Sequence, residues 1–263
     1  RVGAASRAYG ATQTMTLSPK TDLKQLWRLI VVGGHTRTIG KTQLVCDIIS
    51  AFPEARWIAG KITQYGHGVC AQNGHDCDCA PDEHICAISW EESATTGTDS
   101  SRFLAAGAQR SFWLRTKQGF LAEGLPILRH ALQEISAEES SKANNGVGQG
   151  SGSDAPIFIT KPLALVVESN SLMQFVKPTL FFTVLAPAVE DFKDSARAAL
   201  DRASALVIRG NGLTVEGEPL WTKIPAKLLR EKPSVNPAEG DPLPEPLEVL
   251  VRRALESAPT AAL

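Results

Sequence analysis

The sequence predicts a three-layer α/β fold: a mostly parallel central sheet, helices on both of its faces, and a cysteine-rich loop insertion. Three observations carry this reading. Short apolar, β-branched runs alternate with segments of helical spacing, the pattern of parallel strands and their crossover helices. A Gly33-Gly34 pair separates the first apolar run from the first helical one. The composition is that of a globular chain: 263 residues, 43% hydrophobic and 21% charged, with 27 Lys and Arg against 28 Asp and Glu. That balance excludes collagen, a coiled coil and disorder. A net charge of -1 supplies no field for nucleic acid or an anionic membrane, so neither is expected as a partner. No apolar run approaches the roughly 20 residues that a membrane-spanning helix needs.

Residues 1–22 read as an unstructured leader and 23–263 as one domain. Leu26 to Val32 is an apolar strand closed by the two glycines. Lys41 to Phe52 places Leu44, Val45, Ile48 and Ile49 at helical spacing, and Arg56 to Ile62 is a second strand. The stretch from His67 to Cys86, rich in Gly, Asn, Asp and Pro, is expected to be irregular. A helix follows over Ser100 to Arg110, capped by Asp99 or Ser100. Phe112 to Arg115 is a short strand and Leu121 to Ile135 an amphipathic helix. Residues 137–156, ending in a Gly- and Ser-rich run, are expected to form a flexible loop. Strands resume at Leu163 to Val167, Leu180 to Leu185 and Ala205 to Ile208, with a helix over Phe192 to Ala203 between the last two. A strand near Leu220 to Ile224 and a helix over Leu247 to Leu255, with Pro246 in its first turn, complete the domain. Such sheets bind ligands at the carboxyl ends of their strands, so chemistry is sought in the loops after Val32, Ile62, Val167 and Ile208.

The first of those loops reads Gly34-His35-Thr36-Arg37-Thr38-Ile39-Gly40-Lys41-Thr42-Gln43. A glycine-rich turn between a strand and a helix that closes on Gly-Lys-Thr is a Walker A loop, the mark of a P-loop NTPase. Its backbone N–H groups and the helix N-terminus cradle phosphate oxygens, the lysine reaches the β- and γ-phosphates, and the Thr42 hydroxyl can ligate Mg²⁺. Five residues separate Gly34 from Gly40, where the usual pattern has four, so His35 holds the usual first-glycine position. Glu168, directly after an apolar strand, is the candidate to complete the Mg²⁺ site; a solvated strand-end carboxylate is the alternative. Lys41 and Glu168 are the candidate catalytic residues, and the ligand is GTP or ATP.

The run from Asp99 to Ala108, Asp-Ser-x-Arg-x-x-x-Ala-Gly-Ala, resembles a motif of the molybdopterin-guanine dinucleotide biosynthesis protein B (MobB) family. The Walker loop, a second strand carrying Lys61 and an apolar strand ending in Glu168 are similar as well, over roughly residues 27 to 170. The resemblance implies a P-loop fold shared with dethiobiotin synthetase and nitrogenase iron protein. It implies GTP binding, slow hydrolysis, homodimerisation, a partner protein in cofactor biosynthesis, and an accessory role in attaching a nucleotide to molybdopterin. It brings Asp99 and Arg102 into the nucleotide site. The chain departs from the family pattern in its loop spacing, in Gln43 after Lys-Thr, in Ile62-Thr63 after Lys61, and in the cysteine insert. An ATP-dependent small-molecule kinase or ligase of the dethiobiotin synthetase type, and a nucleotide-gated, metal-binding docking protein, are the competing readings. After Ile208 the chain reads Arg209-Gly210-Asn211-Gly212, without the acid that pairs with guanine in an Asn-Lys-x-Asp motif, so the base stays open.

Loop 66–88 gathers Cys70, Cys77, Cys79 and Cys86, with His67, His75 and His84 interspersed. Four thiolates, or three with His84, suit tetrahedral Zn²⁺, and four cysteines suit an iron–sulfur cluster. Free thiols and a redox disulfide are the alternatives. Cys46 lies on the apolar side of the first helix and reads as packing. Five cysteines, an odd number, fit a reducing cytoplasm better than a disulfide framework.

Overall fold

The computed structural model describes residues 26–66, 85–145, 163–210, 224 and 226–263. Among them lie nine strands: β1 (Leu26–Gly34), β2 (Arg56–Tyr65), β3 (Cys86–Trp90), β4 (Arg110–Lys117), β5 (Leu163–Glu168), β6 (Leu180–Leu185), β7 (Ala205–Ile208), β8 (Ser234–Val235) and β9 (Ala261–Ala262). The helices are α1 (Lys41–Ala51), α2 (Asp99–Ala105), α3 (Leu121–Asn145), α4 (Asp194–Arg197), α5 (Ala226–Glu231) and α6 (Glu245–Glu256).

The sheet runs β3-β4-β2-β5-β1-β6-β7-β8, with β9 added against the start of β1. Every pair is parallel except β3 on β4 and β9 on β1. The central strands β5 and β6 are buried along their whole length because helices cover both faces. On one face α1, Phe103 of α2 and the Leu247–Val251 side of α6 pack on Ile30, Val32, Trp57 and Val166. On the other, Leu121, Leu125, Leu128 and Leu132 of α3 pack on Val31, Ile58, Phe112 and Leu165. This is the three-layer α/β fold the sequence predicts.

The topology also makes an opening. The chain leaves β1 toward β2 on one side, whereas β5, hydrogen-bonded to β1, sends its connection across to β6 on the other. Neighbouring strands whose connections diverge leave a crevice at their carboxyl ends. Register then aligns the chemistry, since Val32 pairs with Glu168 and Glu168 with Lys61.

Several boundaries differ from the sequence expectation. Residues 137–145, expected in the flexible loop, continue α3 to Asn145. Arg56 on β2 pairs with Glu139, and Arg110 on β4 with Glu138 at 3.2 Å, so two surface carboxylates tie the extra turns back to the sheet. The helix expected over Ser100–Arg110 is α2 alone. Thr98, not Asp99 or Ser100, caps it by accepting the Ser101 N–H at 3.1 Å, and Gly107 at φ 112° turns the chain into β4. The helix expected over Phe192–Ala203 is only α4 and a 3-10 turn, because the chain before Asp194 is spent on contacts with the glycine loop. Cys86 to Ile88, expected at the end of the cysteine loop, begin the antiparallel edge strand β3. The strand expected at Leu220–Ile224 lies, apart from Ile224, outside the described residues. No helix among the described residues is long and apolar enough to cross a membrane.

Candidate functional site

The glycine loop leaves β1 at Gly34 and enters α1 at Lys41. Both glycines of the pair are required by their surroundings. A Cβ on Gly33 would strike the Asn170 side chain, and one on Gly34 would meet Val184 O at 2.9 Å and Lys41 Cδ at 3.0 Å. Gly40 caps α1 at φ 89° with no side-chain acceptor, which leaves the first-turn N–H groups facing the loop. Thr38 also has a positive φ, 54°, a conformation that costs a side-chain-bearing residue energy and that recurs where loops serve a ligand.

Within the loop each side chain has its own direction. Lys41 curls back so that Nζ donates to Thr36 O at 2.5 Å; burial lowers its pKa and the Glu168 carboxylate opposes that. Ile39 is buried, while Arg37 and Thr38 are exposed at the tip. Thr36 Oγ1 donates to Asp191. His35 is wholly buried and directed into the chain after β6, away from the cradle.

The predicted Mg²⁺ ligands meet. Thr42 Oγ1 donates to Glu168 Oε2 at 2.6 Å, and Glu168 is buried at the end of β5. Lys61 of β2 reaches the other carboxylate oxygen at 3.4 Å and forms an ion pair with Asp99. Burial opposes the charge on Lys61, but Glu168 and Asp99 outweigh it and raise its pKa. Burial likewise opposes ionisation of Asp99, yet the Lys61 bond and charge hold that carboxyl below its usual range. Thr42, Glu168, Lys61 and Asp99 thus form one alternating chain of donors and acceptors beside the loop. Two hard oxygen donors in hydrogen-bonding contact are what Mg²⁺ takes in such sites, so the residues fit that ion.

Arg102 is placed differently. It donates to Gln43 Oε1 at 2.7 Å, on the exposed side of α1, and so reaches the helix's first turn rather than the phosphate cradle. Gln43 in turn donates to Asp47 at 2.7 Å, and Asp47 lies 3.7 Å from Arg209, whose side chain packs over Gly40. Cys70, Cys77, Cys79 and His84 lie outside the described residues. Cys86 is half-buried at the start of β3, and burial raises its thiol pKa. Among the described residues no group of three or more His, Cys, Asp or Glu gathers as a metal centre.

Three contributors went unread in the sequence. Asn170 accepts the Gly34 N–H at 2.8 Å and donates back to Gly34 O at 2.7 Å, imitating a strand partner for the last residue of β1. Asp191 and Lys193 lie in the segment after β6; Lys193 donates its backbone N–H to His35 O at 2.9 Å. The signal for Asn170 was its place, two residues past a strand-end acid at a carboxyl edge.

No protein-family model matches the chain, and no curated protein matches it. Among solved structures it is similar to the crystal structure of HypB from Helicobacter pylori in complex with nickel. That likeness has a TM-score of 0.43 and 13% sequence identity, over 89% of this chain and 88% of the other.

Proposed function

We propose that this chain binds a nucleoside triphosphate, GTP or ATP, on the loop from Gly34 to Thr42 and hydrolyses it slowly. The observation that carries the reading is the meeting of loop and strand end, where Thr42 Oγ1 lies 2.6 Å from a buried Glu168 carboxylate and the Lys41 ammonium folds over the loop. The Lys41 ammonium, now on the Thr36 carbonyl, turns to phosphate oxygens, and the α1 first-turn N–H groups add fixed dipoles beneath them. Mg²⁺, when bound by Thr42 and Glu168, supplies charge neutralisation at the β- and γ-phosphates. Hydrolysis on such a site rests on positioning and electrostatics, with Lys41 stabilising charge that develops on the phosphoryl oxygens. Asp99 acts through Lys61, which it holds beside Glu168.

The finer reading is an accessory role in molybdenum cofactor or related cofactor biosynthesis, as a homodimer working with a biosynthetic partner. It rests on the Asp99–Ala108 motif. A metal loop of Cys70, Cys77, Cys79, His84 and Cys86, holding Zn²⁺ or an iron–sulfur cluster, belongs to the same proposal. The second reading is a small-molecule kinase or ligase, in which a polar acceptor is held against the Lys61–Asp99 ion pair.

The test is fluorescent-nucleotide titration with mant-GTP and mant-ATP. Lys41→Ala is expected to weaken binding at least tenfold. Thr42→Ala and Glu168→Gln are expected to abolish the gain from Mg²⁺ while sparing Mg²⁺-free binding. Lys41→Ala binding as tightly as wild type overturns the proposal. Product analysis with candidate acceptors separates hydrolysis from transfer, and elemental analysis with a visible spectrum after anaerobic purification reports on the metal loop.

A further inference from the structure

We propose that His35 is a positioning residue for the phosphate loop, a neutral imidazole staple whose protonation releases the loop and weakens phosphate binding. This deepens the nucleotide reading above and rests on it. His35 is the residue by which the loop exceeds the usual length, and the structure shows where the excess goes. Its backbone N–H donates to Val184 O at 3.3 Å, adding a rung between β1 and β6, and its carbonyl accepts the Lys193 N–H at 2.9 Å. The cradle therefore begins at Thr36, and its span to Gly40 depends on that rung holding.

The side chain completes the attachment. Nδ1 lies 3.4 Å from the Ala186 N–H and Nε2 lies 3.2 Å from Val189 O. An N–H needs an acceptor and a carbonyl needs a donor, so the two contacts assign the neutral ring with its proton on Nε2. The ring also packs 5.6 Å from Phe192, tilted by 55°. The next loop residue, Thr36, is tied to the same segment through Asp191. Two successive loop residues thus hang on the chain from Ala186 to Lys193.

Protonation turns Nδ1 into a second donor aimed at the Ala186 N–H, and that contact breaks. The hydrogen bonds to Val189 and Val184 favour the imidazolium; among charged groups Lys41 from α1 disfavours it, Asp191 from the post-β6 segment favours it, and Arg197 lies over the Phe192 ring that packs on His35. Burial is the largest influence and holds the ring's pKa below the ordinary histidine value, so the staple is closed at neutral pH and opens in acid. An imidazolium that stayed in place would do the reverse, adding positive charge near the phosphates and tightening binding.

The test measures Kd for mant-ADP and mant-GDP from pH 7.5 to pH 5 in the full chain and in His35→Asn, whose amide oxygen keeps an acceptor for Ala186 but does not titrate. The ratio of the two proteins cancels the titration of the ligand. Wild-type affinity is expected to fall relative to the variant toward the acid end of that range, below the ordinary histidine value, with a slope approaching about tenfold per pH unit, the limit for one linked proton. Parallel profiles, or a wild type that gains affinity in acid, overturn the proposal. Should His35→Asn fail to fold, ¹⁵N NMR of the wild-type ring decides. Linkage requires bound nucleotide to lower the His35 pKa further, and a pKa that nucleotide leaves unmoved overturns it. A wild type that binds no nucleotide at pH 7.5 overturns the nucleotide reading itself, and this one with it.

Discussion

Removing the Asn170 amide tests how the glycine loop is held. Asn170→Ala deletes the two bonds to Gly34, at 2.8 and 2.7 Å, and leaves the backbone N–H and C=O of Gly34 without these partners at the end of β1. A neutral hydrogen bond contributes about 1 kcal/mol net. The two together come to about 2 kcal/mol, at the lower end for stranded buried groups because the missing side chain lets water approach. With a urea slope of about 3 kcal/mol/M, the midpoint is expected to fall by about 0.7 M in equilibrium unfolding followed by circular dichroism. Asn170→Asp sharpens the test at constant shape. A carboxylate keeps the acceptor for the Gly34 N–H but sets an oxygen against the Gly34 carbonyl, which expected Nδ2–H. At pH 7 this variant should be no more stable than the alanine one. Its deficit should shrink toward pH 4, where the protonated acid can donate. An alanine variant within 0.5 kcal/mol of wild type, or an aspartate variant whose deficit ignores pH, refutes the amide as the clamp.

Other consequences are equally direct. Gly60 lies against Phe112, where an added Cβ would penetrate the ring, so Gly60→Ala should cost about 3 kcal/mol or more in thermal unfolding and recover in part with Phe112→Leu. Burial pushes the Cys46 thiol up to about 11. At pH 8 only about one molecule in 1000 then carries the thiolate, and iodoacetamide should label Cys46, by peptide mass analysis, only after denaturation. Lys61→Met leaves Asp99 and Glu168 facing each other without their shared cation. The Asp99 carboxyl, depressed in the wild type, gives stability that is present above its unfolded pKa and lost as pH falls through its folded one. In the variant that contribution vanishes. Its stability deficit should therefore be full at pH 7 and narrow below about pH 4, as read from unfolding midpoints across pH.

The layers and the sheet were legible because their signals are redundant. Leu-Ala-Leu-Val-Val before Glu168 is apolar at every position, as a strand buried on both faces must be, and Leu44, Val45, Ile48 and Ile49 repeat at helical spacing on one buried side. What escaped was set by partners distant in sequence. Nothing local in 137–145 says that Glu138 and Glu139 will meet Arg110 and Arg56, so a polar stretch read as loop is helix. Cys86 to Trp90 is strand only because β4 offers an antiparallel edge. Gly107, two residues past the end of α2 at Ala105, rather than a change in polarity, turns the chain out of the helix.

The candidate site divides along the same line. Lys41, Thr42 and Glu168 could be named in advance because a loop entering a helix and an acid ending a strand are each defined by a few adjacent residues. Register then does the rest, bringing Glu168 opposite Val32 on one side and Lys61 on the other. The spacing of the loop misled for the opposite reason. Counting residues between Gly34 and Gly40 treats each as part of the cradle, yet the extra one belongs to the sheet. His35 extends the β1–β6 ladder through Val184, and its ring is bound to Ala186 and Val189, more than 150 residues away. A regular cradle and an irregular count are compatible once the additional residue is placed by its hydrogen bonds. The same bonds make the buried histidine, rather than the exposed Arg37 or Thr38, the member of the loop whose replacement should change its shape.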